Sequence, residues 1–328
     1  MVRGYVEGLA VVGFWTAFML VSRIGLTGAS GLTPWDMLAL RLATATVVLA
    51  PFCLDMGREV WTSWRLWALA LVGGLGYGIL VYWGFRLAPA THGAVLFPGM
   101  LPFWTAGLGW LLLRSRPGGS QWAGYALIAA GMVFMAWQTF HGHPGGQQGA
   151  DIFTGDVLLL GSSLAWALYG VLAKRWGFSP WLLTRFLALA PAVLYLPVYT
   201  LTLPHNLEAA GLGRLVFQGV YHGVVTTVVV MWLYLRAQER LGPPRMGALL
   251  AVVPALSGTL AALYLGEDMT AGLAAALALV SCGAWLAARG KPEAEGGVHA
   301  LREHQDHSGG SLGRGQGQAH RGSDPAAG

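Results

Sequence analysis

Charged side chains are scarce in this sequence: they make up 11% of the 328 residues, whereas hydrophobic side chains make up 55%. Soluble domains carry about 25% charged residues, so this chain has too few charges to cover a water-facing surface. Its mean hydropathy is correspondingly high, at +0.54. The composition therefore excludes an ordinary soluble domain and predicts an all-α integral membrane protein that crosses the bilayer many times.

The cysteine count and the net charge are low as well, and each excludes one class of protein. The two cysteines, Cys53 and Cys282, both lie in apolar runs, so the sequence has no disulfide framework. The net charge of +5 is small and dispersed, which argues against a nucleic-acid partner. Glycine is abundant instead, with 48 residues, as expected where membrane helices pack closely.

Ten apolar segments are long enough to cross a membrane, because a span needs about 20 mostly apolar residues. We expect a first five-helix repeat at 1–138, an extracytoplasmic Gly/His/Gln-rich linker at 139–151 and a second repeat at 152–289. Residues 290–328 are predicted to form a disordered cytoplasmic tail, since they contain almost no large apolar side chains. The predicted spans are 5–27, 33–55, 66–87, 91–113, 120–138, 153–174, 180–202, 213–236, 244–265 and 270–288.

The distribution of lysine and arginine predicts the orientation. Twelve of these residues lie near span ends on one side, and only Arg23, Arg86 and Arg214 lie on the other. Because basic residues favour the cytoplasmic side, both termini are predicted to be cytoplasmic. The apolar run after Arg3 also fits a signal peptide, but its counterpart in the second half favours a membrane span.

Two stretches of the chain repeat one pattern. Residues 33–51 read TPWDMLALRLATATVVLAP and residues 179–197 read SPWLLTRFLALAPAVLYLP, with the same spacing of 17 between their first and last prolines. Because each half has an odd number of spans, the second half must enter the membrane from the opposite side. Such inverted repeats are typical of transporters that hold substrate near the midplane. Further matches pair Trp15 and Arg23 with Trp166 and Lys174, and Pro102 with Pro254.

The chain resembles the EamA-type members of the drug/metabolite transporter superfamily over nearly all of residues 7–289. The first copy shows this in WTAFMLVSRIGLTG, LTPWDMLALRLATA and APATHGAVLFPGMLPFWTAGLGWLLL, and the second in LGPPRMGALLAVVPALSGTLAALYLGEDMTAGLAAALALVSCGAWL. The resemblance implies a carrier of the inner (plasma) membrane whose halves enclose a central pathway. It also implies a substrate among amino acids, other metabolites or drugs, often moved outward.

One motif departs from the family pattern, and one residue type is missing from the spans. The family commonly ends the fourth helix of a repeat with Leu-Gly-Glu, which the second copy has at residues 265–267. The first copy has Ser115 at the glutamate position. No carboxylate is predicted at the membrane midplane, where an exporter of cations usually has one. This absence favours neutral, zwitterionic or anionic substrates.

Two arginines inside spans are candidate substrate-binding residues, since an intramembrane charge costs about 2.5–3.5 kcal/mol and marks a pathway by default. Arg41 lies about 10 Å past Pro34, and Arg185 lies about 8 Å past Pro180 from the opposite face. Either guanidinium suits a substrate carboxylate, and together they form a candidate gate pair. Alternatively, both snorkel to the nearer interface or bind backbone carbonyls.

Other candidates come from residue type and position. His92 begins the fourth span and His222 lies inside the eighth, where each is either a titrating group or a hydrogen-bonded structural histidine. Neither has a second ligand at helical spacing, so no metal site is predicted. The candidate aromatic lining consists of Trp15, Tyr82, Trp166 and Tyr169, with packing and interfacial anchoring as the alternative. The candidate kinks for gating are Pro98, Pro102 and Pro254.

These observations favour a secondary transporter that exports small metabolites, amino acids or drug-like compounds by alternating access. A membrane-embedded enzyme would need a nucleophile, base or metal cluster, and the two histidines are all that the sequence offers. The expectation is therefore no catalytic residue and no cofactor. A non-transporting assembly or sensor partner remains the other alternative. The expected partners are a small-molecule substrate and the lipid bilayer, with the oligomeric state open.

Overall fold

A computed structural model describes residues 1–27, 31–114, 117–142 and 147–289, and over these ranges the chain is helical without strands. Short helices, Arg58–Thr62 and Leu207–Ala210, lie in two of the connections. The predicted tail at 290–328 lies outside the described residues. The long helices are α1 (Val2–Leu26), α2 (Pro34–Cys53), α3 (Trp64–Leu87), α4 (Ala90–Leu113), α5 (Gly119–Gly142), α6 (Gln148–Trp176), α7 (Pro180–Thr202), α8 (Leu212–Leu241), α9 (Pro244–Leu265) and α10 (Ala271–Arg289).

Each predicted span corresponds to one of these helices. Among the described residues, nine of the helices are long and apolar enough, by length and composition, to cross a membrane. The tenth, α5, has 24 residues and is therefore about 36 Å long at 1.5 Å per residue. It packs along α10. Helices α5 and α6 extend into both ends of the predicted linker at 139–151, of which 143–146 lie outside the described residues.

The repeated Thr/Ser-Pro-Trp pattern marks the start of a helix in both halves. The Thr33 side chain accepts a hydrogen bond from the backbone N–H of Asp36, whose carboxylate accepts one from the N–H of Thr33. Ser179 likewise accepts a hydrogen bond from the backbone N–H of Leu182 at the start of α7. Proline fits the first helical position because its missing N–H would have no partner there.

The two repeats interlock rather than lying side by side. Each helix of the first half packs against one of the second: α1 on α8, α2 on α7, α3 on α6, α4 on α9, and α5 on α10. The described residues accordingly belong to one compact unit. A side chain that points inward from almost any helix therefore lies at a boundary between the two repeats.

Helices α4 and α9 are interrupted at matching places. The second part of α4 is Leu101–Leu113 and that of α9 is Val253–Leu265, both of 13 residues. Pro102 and Pro254 are each the second residue of these parts, which agrees with the match drawn from the sequence. Each part ends on a residue of left-handed conformation, Arg114 with φ 56° and Gly266 with φ 67°. The two copies thus share their backbone path even where their side chains differ.

Two other helices carry wider, π-helical turns at corresponding places. These are Ala70–Gly76 in α3 and Val220–Val229 in α8. A third π-helical stretch, Val95–Gly99, precedes the interruption of α4 and contains Pro98. Such turns shift side chains out of the regular helical register and are frequent at functional sites.

Helices α5 and α10 approach closely through small residues. A Cβ atom added at Gly124 would lie 2.6 Å from the carbonyl oxygen of Gly283 and from the backbone nitrogen of Ala287. Backbone atoms cannot swing aside as a flexible side chain can. The contact therefore requires glycine at position 124.

We predict that Gly124→Ala lowers the stability of the folded protein relative to Gly107→Ala. Gly107 is a matched control because a Cβ there meets nothing within 4 Å, whereas overpacking at position 124 costs about 1–3 kcal/mol. The helix propensity gained is the same in both variants. The measurement is the midpoint of thermal unfolding in detergent. A midpoint for Gly124→Ala equal to that of Gly107→Ala would contradict the close packing.

Candidate functional site

Arg41 points into the interior from α2 and has no acidic partner among the described residues. Its Cζ atom lies 5.3 Å from the centroid of the Tyr77 ring, and its charge interacts with the hydroxyls of Tyr77 and Tyr82 on α3. Helix α2 packs against α3, α7 and α8, so Arg41 is half-buried among both repeats. None of the ion pairs between described residues includes Arg41. The structure therefore leaves a positive charge inside a span without a carboxylate from the described chain.

His222 faces the same interior from the π-helical turn of α8. The side chain is fully buried, and its ring lies 5.3 Å from Phe18 and 5.5 Å from Tyr82, nearly perpendicular to both. The Arg41 charge acts on this ring. Within the described ranges, neither ring nitrogen of His222 has a hydrogen-bond partner. We call Phe18, Arg41, Tyr77, Tyr82 and His222 the Arg41 site.

Further buried polar atoms lack partners among the described residues. They are the Ser22 hydroxyl, one turn after Phe18 on α1, and Oε1 of Gln218, one turn before His222 on α8. The Tyr82 hydroxyl faces the Arg41 guanidinium but has no acceptor for its own O–H in the described part of the chain. Gln218 does donate through Nε2 to the carbonyl of Val21, at 3.2 Å. A buried polar group without a partner costs about 1–3 kcal/mol, and native structures contain few of them. Groups of this kind are able to bind a ligand.

Aromatic rings from both repeats pack against Tyr77 and form a wall of the Arg41 site. Trp166 of α6 lies 4.9 Å from Tyr77, and Phe97 of α4 lies 5.5 Å from it. Phe97 also approaches Phe18, at 6.4 Å. Faces of aromatic rings attract cations, so this wall can accept a substrate ammonium group while Arg41 accepts a carboxylate. The arrangement suits a small zwitterion.

The structure brings four of the sequence candidates together: Arg41, Tyr82, Trp166 and His222. Tyr169 lies behind Trp166, at 5.1 Å, in a separate cluster with Phe186. Of the kink candidates, Pro98 and Pro102 flank the interruption of α4 beside Phe97, and Pro254 occupies the equivalent place in α9.

Three other candidates have partners elsewhere. Trp15 stacks on Tyr234 at 6.0 Å, in a cluster with Val11. His92 pairs with Asp156, whose carboxylate is 3.0 Å from Nδ1. Arg185 binds the carboxylate of Asp55.

Arg185 differs from Arg41 because it reaches partners at a helix end. Its guanidinium donates to the Asp55 carboxylate and to the carbonyl oxygen of Phe52. Its Cζ atom also lies 5.4 Å from the Trp181 ring. Both oxygen partners follow α2 or form its last turn, so Arg185 ties α7 to the end of α2. The structure does not join Arg185 to the Arg41 site.

The sequence did not predict a role for three residues on the helices of the site: Phe18, Ser22 and Gln218. Residue type does not mark any of them, because phenylalanine, serine and glutamine are common in membrane helices. Spacing is the one available signal. Phe18 and Ser22 are four residues apart, as are Gln218 and His222, so each pair lies on one helix face.

Glu267 joins the two repeats at one end of the bundle, which we call the Glu267 end. Its two carboxylate oxygens accept hydrogen bonds from the backbone N–H groups of Ala90 and Thr91, both at 2.8 Å. Arg23 lies 3.6 Å from the same carboxylate and donates to the carbonyl of Phe85 at 2.7 Å. The glutamate of the Leu-Gly-Glu motif therefore caps α4, where the positive end of the helix dipole favours a negative charge.

The opposite end, which we call the Glu7 end, is held by different contacts. Glu7 on α1 binds Arg236 at 3.2 Å and Arg240 at 2.7 Å, both on α8. The pair of Arg185 with Asp55 belongs to the same end. Each end therefore has its own set of ion pairs between helices of the two repeats.

The comparisons with known proteins agree with this architecture. The profile of the EamA-like transporter family matches residues 2–137 and 153–289. The threonine/homoserine exporter RhtA of Salmonella typhimurium (strain SL1344) is 28% identical over 287 residues, which cover 84% of this chain and 88% of that protein. RhtA of Escherichia coli (strain K12) is 27% identical over 261 residues, covering 77% and 80%.

A solved structure also resembles this one. The similarity has a TM-score of 0.59 with 22% sequence identity, and it covers 87% of this chain and 96% of the other. At this identity the likeness shows the fold alone.

We predict that Glu267→Ala lowers the unfolding midpoint in detergent, because two backbone N–H groups and Arg23 lose their acceptor. Loss of a capping side chain costs about 0.5–2 kcal/mol. Asp268→Ala is the control, since Asp268 is the exposed neighbour and takes part in no ion pair of the described residues. Equal midpoints for the two variants would show that the cap contributes nothing.

Proposed function

The chain belongs to the EamA-like transporter family, and we propose that it exports small zwitterionic metabolites, amino acids in particular, by alternating access between its inverted repeats. The observation that carries this proposal is Arg41, a charge within a span that has no carboxylate partner among the described residues. A substrate carboxylate would supply the partner, and a guanidinium fork suits carboxylate geometry.

The charge balance of the site favours a zwitterion over a cation. Arg41 would repel a purely cationic compound, and no described acidic residue stands beside it to compensate. The ammonium group of an amino acid would lie against the aromatic wall of Tyr77 and Trp166. The curated relatives are named as exporters of threonine and homoserine, which are zwitterions of this kind. That correspondence supports the proposal for this chain.

In alternating access, the Glu267 end and the Glu7 end of the bundle would open in turn. Because the Arg41 site lies between helices of both repeats, opening the Glu267 end while the Glu7 end stays closed would expose it to one side only. The reverse movement would expose it to the other side. The repeats at 1–138 and 152–289 would be the moving units, and the interruptions of α4 and α9 would allow them to flex.

The membrane setting completes the proposal. The family and the apolar helices make this a multi-pass membrane protein. We place it in the inner membrane with both termini cytoplasmic, as the lysine and arginine distribution favours. The Glu267 end would then face outward and the Glu7 end would face the cytoplasm.

We predict that Arg41→Gln reduces amino-acid transport by at least about tenfold, because a hydrogen bond to a charged group contributes about 1.5–3 kcal/mol. Arg41→Lys should retain part of the activity, since it keeps the charge but loses the bidentate geometry. The measurement is counterflow of labelled amino acids in liposomes that contain the purified protein.

Arg65→Gln serves as the control for removing an arginine, because Arg65 is exposed near the start of α3. It should transport as the unaltered protein does. Absence of transport of a broad amino-acid and metabolite panel by the unaltered protein would overturn the function. Normal kinetics of a folded Arg41→Gln variant would instead remove Arg41 from the binding site.

A further inference from the structure

We propose that His222 and Tyr82 form a subsite that recognises a hydroxyl group on the substrate side chain. The transporter would therefore select hydroxylated amino acids over the same molecules without the hydroxyl. This inference rests on the proposed function, because it concerns the substrate that Arg41 would hold by its carboxylate. It names a specificity determinant for that substrate, and it stands on the hydrogen-bonding state of two buried side chains.

The two side chains are neighbours that do not satisfy each other. Their rings lie 5.5 Å apart at an angle of 87°, and both side chains are fully buried. Both ring nitrogens of His222 lack a hydrogen-bond partner within the described residues. The Tyr82 hydroxyl faces the Arg41 guanidinium, which can only donate to it. The O–H of Tyr82 therefore has no acceptor among the described residues, and both side chains can bind a third group.

Donor and acceptor counting identifies that third group. A neutral imidazole offers one N–H donor and one acceptor nitrogen, and a tyrosine hydroxyl also both donates and accepts. A substrate hydroxyl can donate to one partner and accept from another, so it satisfies both side chains. A carboxylate can only accept and an ammonium can only donate. Each of these would leave part of the subsite without a partner.

The position of Arg41 fixes how such a substrate would lie. The Arg41 guanidinium faces the Tyr82 hydroxyl, and the Tyr82 and His222 rings lie 5.5 Å apart, so one small molecule can reach Arg41 with its carboxylate and the subsite with its side chain. Phe18, which lies 5.3 Å from His222, offers only an apolar face beside the subsite. A hydroxyl two or three bonds from the α-carbon would therefore find hydrogen-bonding partners in His222 and Tyr82.

Such a subsite provides selectivity that an apolar pocket cannot. An apolar pocket distinguishes a hydroxyl from a hydrogen poorly, whereas a site built to hydrogen-bond a hydroxyl rejects the analogue that lacks it. We expect at least about tenfold preference here, well below the strongest known cases of about 10⁴-fold, because a carrier must also release its substrate.

The test compares three amino acids in liposome counterflow: L-threonine, L-homoserine and L-2-aminobutyrate. The last has the same carboxylate and ammonium groups and is the deoxy analogue of both others. The readout is the preference ratio, the transport efficiency of the better hydroxylated substrate divided by that of 2-aminobutyrate. The unaltered protein should give a ratio of at least about ten.

Substitutions then assign the preference to the subsite. His222→Phe should bring the ratio close to one, and Tyr82→Phe, which removes a single oxygen atom, should lower it severalfold. His222→Gln retains one donor and one acceptor, so it should keep most of the preference. His205→Phe is the matched control, because His205 is exposed outside the bundle, and it should leave the ratio as it is.

The outcomes separate this inference from the function on which it rests. If the unaltered protein transports none of the three, the subsite is overturned, and the broad amino-acid and metabolite panel decides whether the proposed function falls as well. If it transports all three equally, amino-acid export stands and the subsite is overturned. A ratio that survives both His222→Phe and Tyr82→Phe also overturns the subsite. Should His222→Phe fail to fold, the Tyr82→Phe ratio alone decides, because that change preserves the shape of the side chain.

Discussion

The positive charge of Arg41 lies inside a membrane span, where few partners are available to compensate for it. Inserting such a charge costs about 2.5–3.5 kcal/mol, and contact with an aromatic face returns about 0.5–2 kcal/mol of it. The described chain supplies the face of Tyr77 but no carboxylate. A site that binds a substrate carboxylate and releases it again needs this incomplete compensation, because a resident acidic partner would compete with the substrate.

The backbone features are shared by the two repeats, whereas the charged residues Arg41 and Glu267 each occur in one repeat only. The interruptions of α4 and α9 and the π-helical turns of α3 and α8 occur in both halves. Arg41 has no such counterpart, since the position matched through the prolines is Leu187. Glu267 caps α4, while Ser115 stands at its position in the first copy. The two ends of the bundle are therefore held by different contacts, and a symmetric backbone surrounds an asymmetric site.

The sequence predicts where helices form, because that signal is local. It does not predict which side chains face the interior, because that depends on how each helix is rotated. Long apolar runs and their breaks predicted all ten helices, because each span follows from its own composition. Arg41 and Arg185 look alike in sequence, yet Arg185 reaches Asp55 just beyond the end of α2, whereas Arg41 reaches no carboxylate of the described residues. Which residues face inward depends on packing between helices far apart in the chain. For that reason the sequence does not identify Phe18 and Gln218 as neighbours of the site. Nor does it predict that Glu267 accepts hydrogen bonds from the start of α4.

Helix α4 connects the site to the end of the bundle that Glu267 holds. Its first residues donate backbone hydrogen bonds to Glu267, and about two turns later Phe97 contacts Phe18 and Tyr77. The hydroxyl of Ser163 on α6 donates to the carbonyl of Phe97 at 2.8 Å, which anchors this stretch to the second repeat. A substrate can shift a conformational equilibrium only through a difference in its affinity for the two states. Because the same short segment touches both the aromatic wall and the Glu267 cap, a substrate that moved Phe97 would change the free energy of the opening proposed for that end.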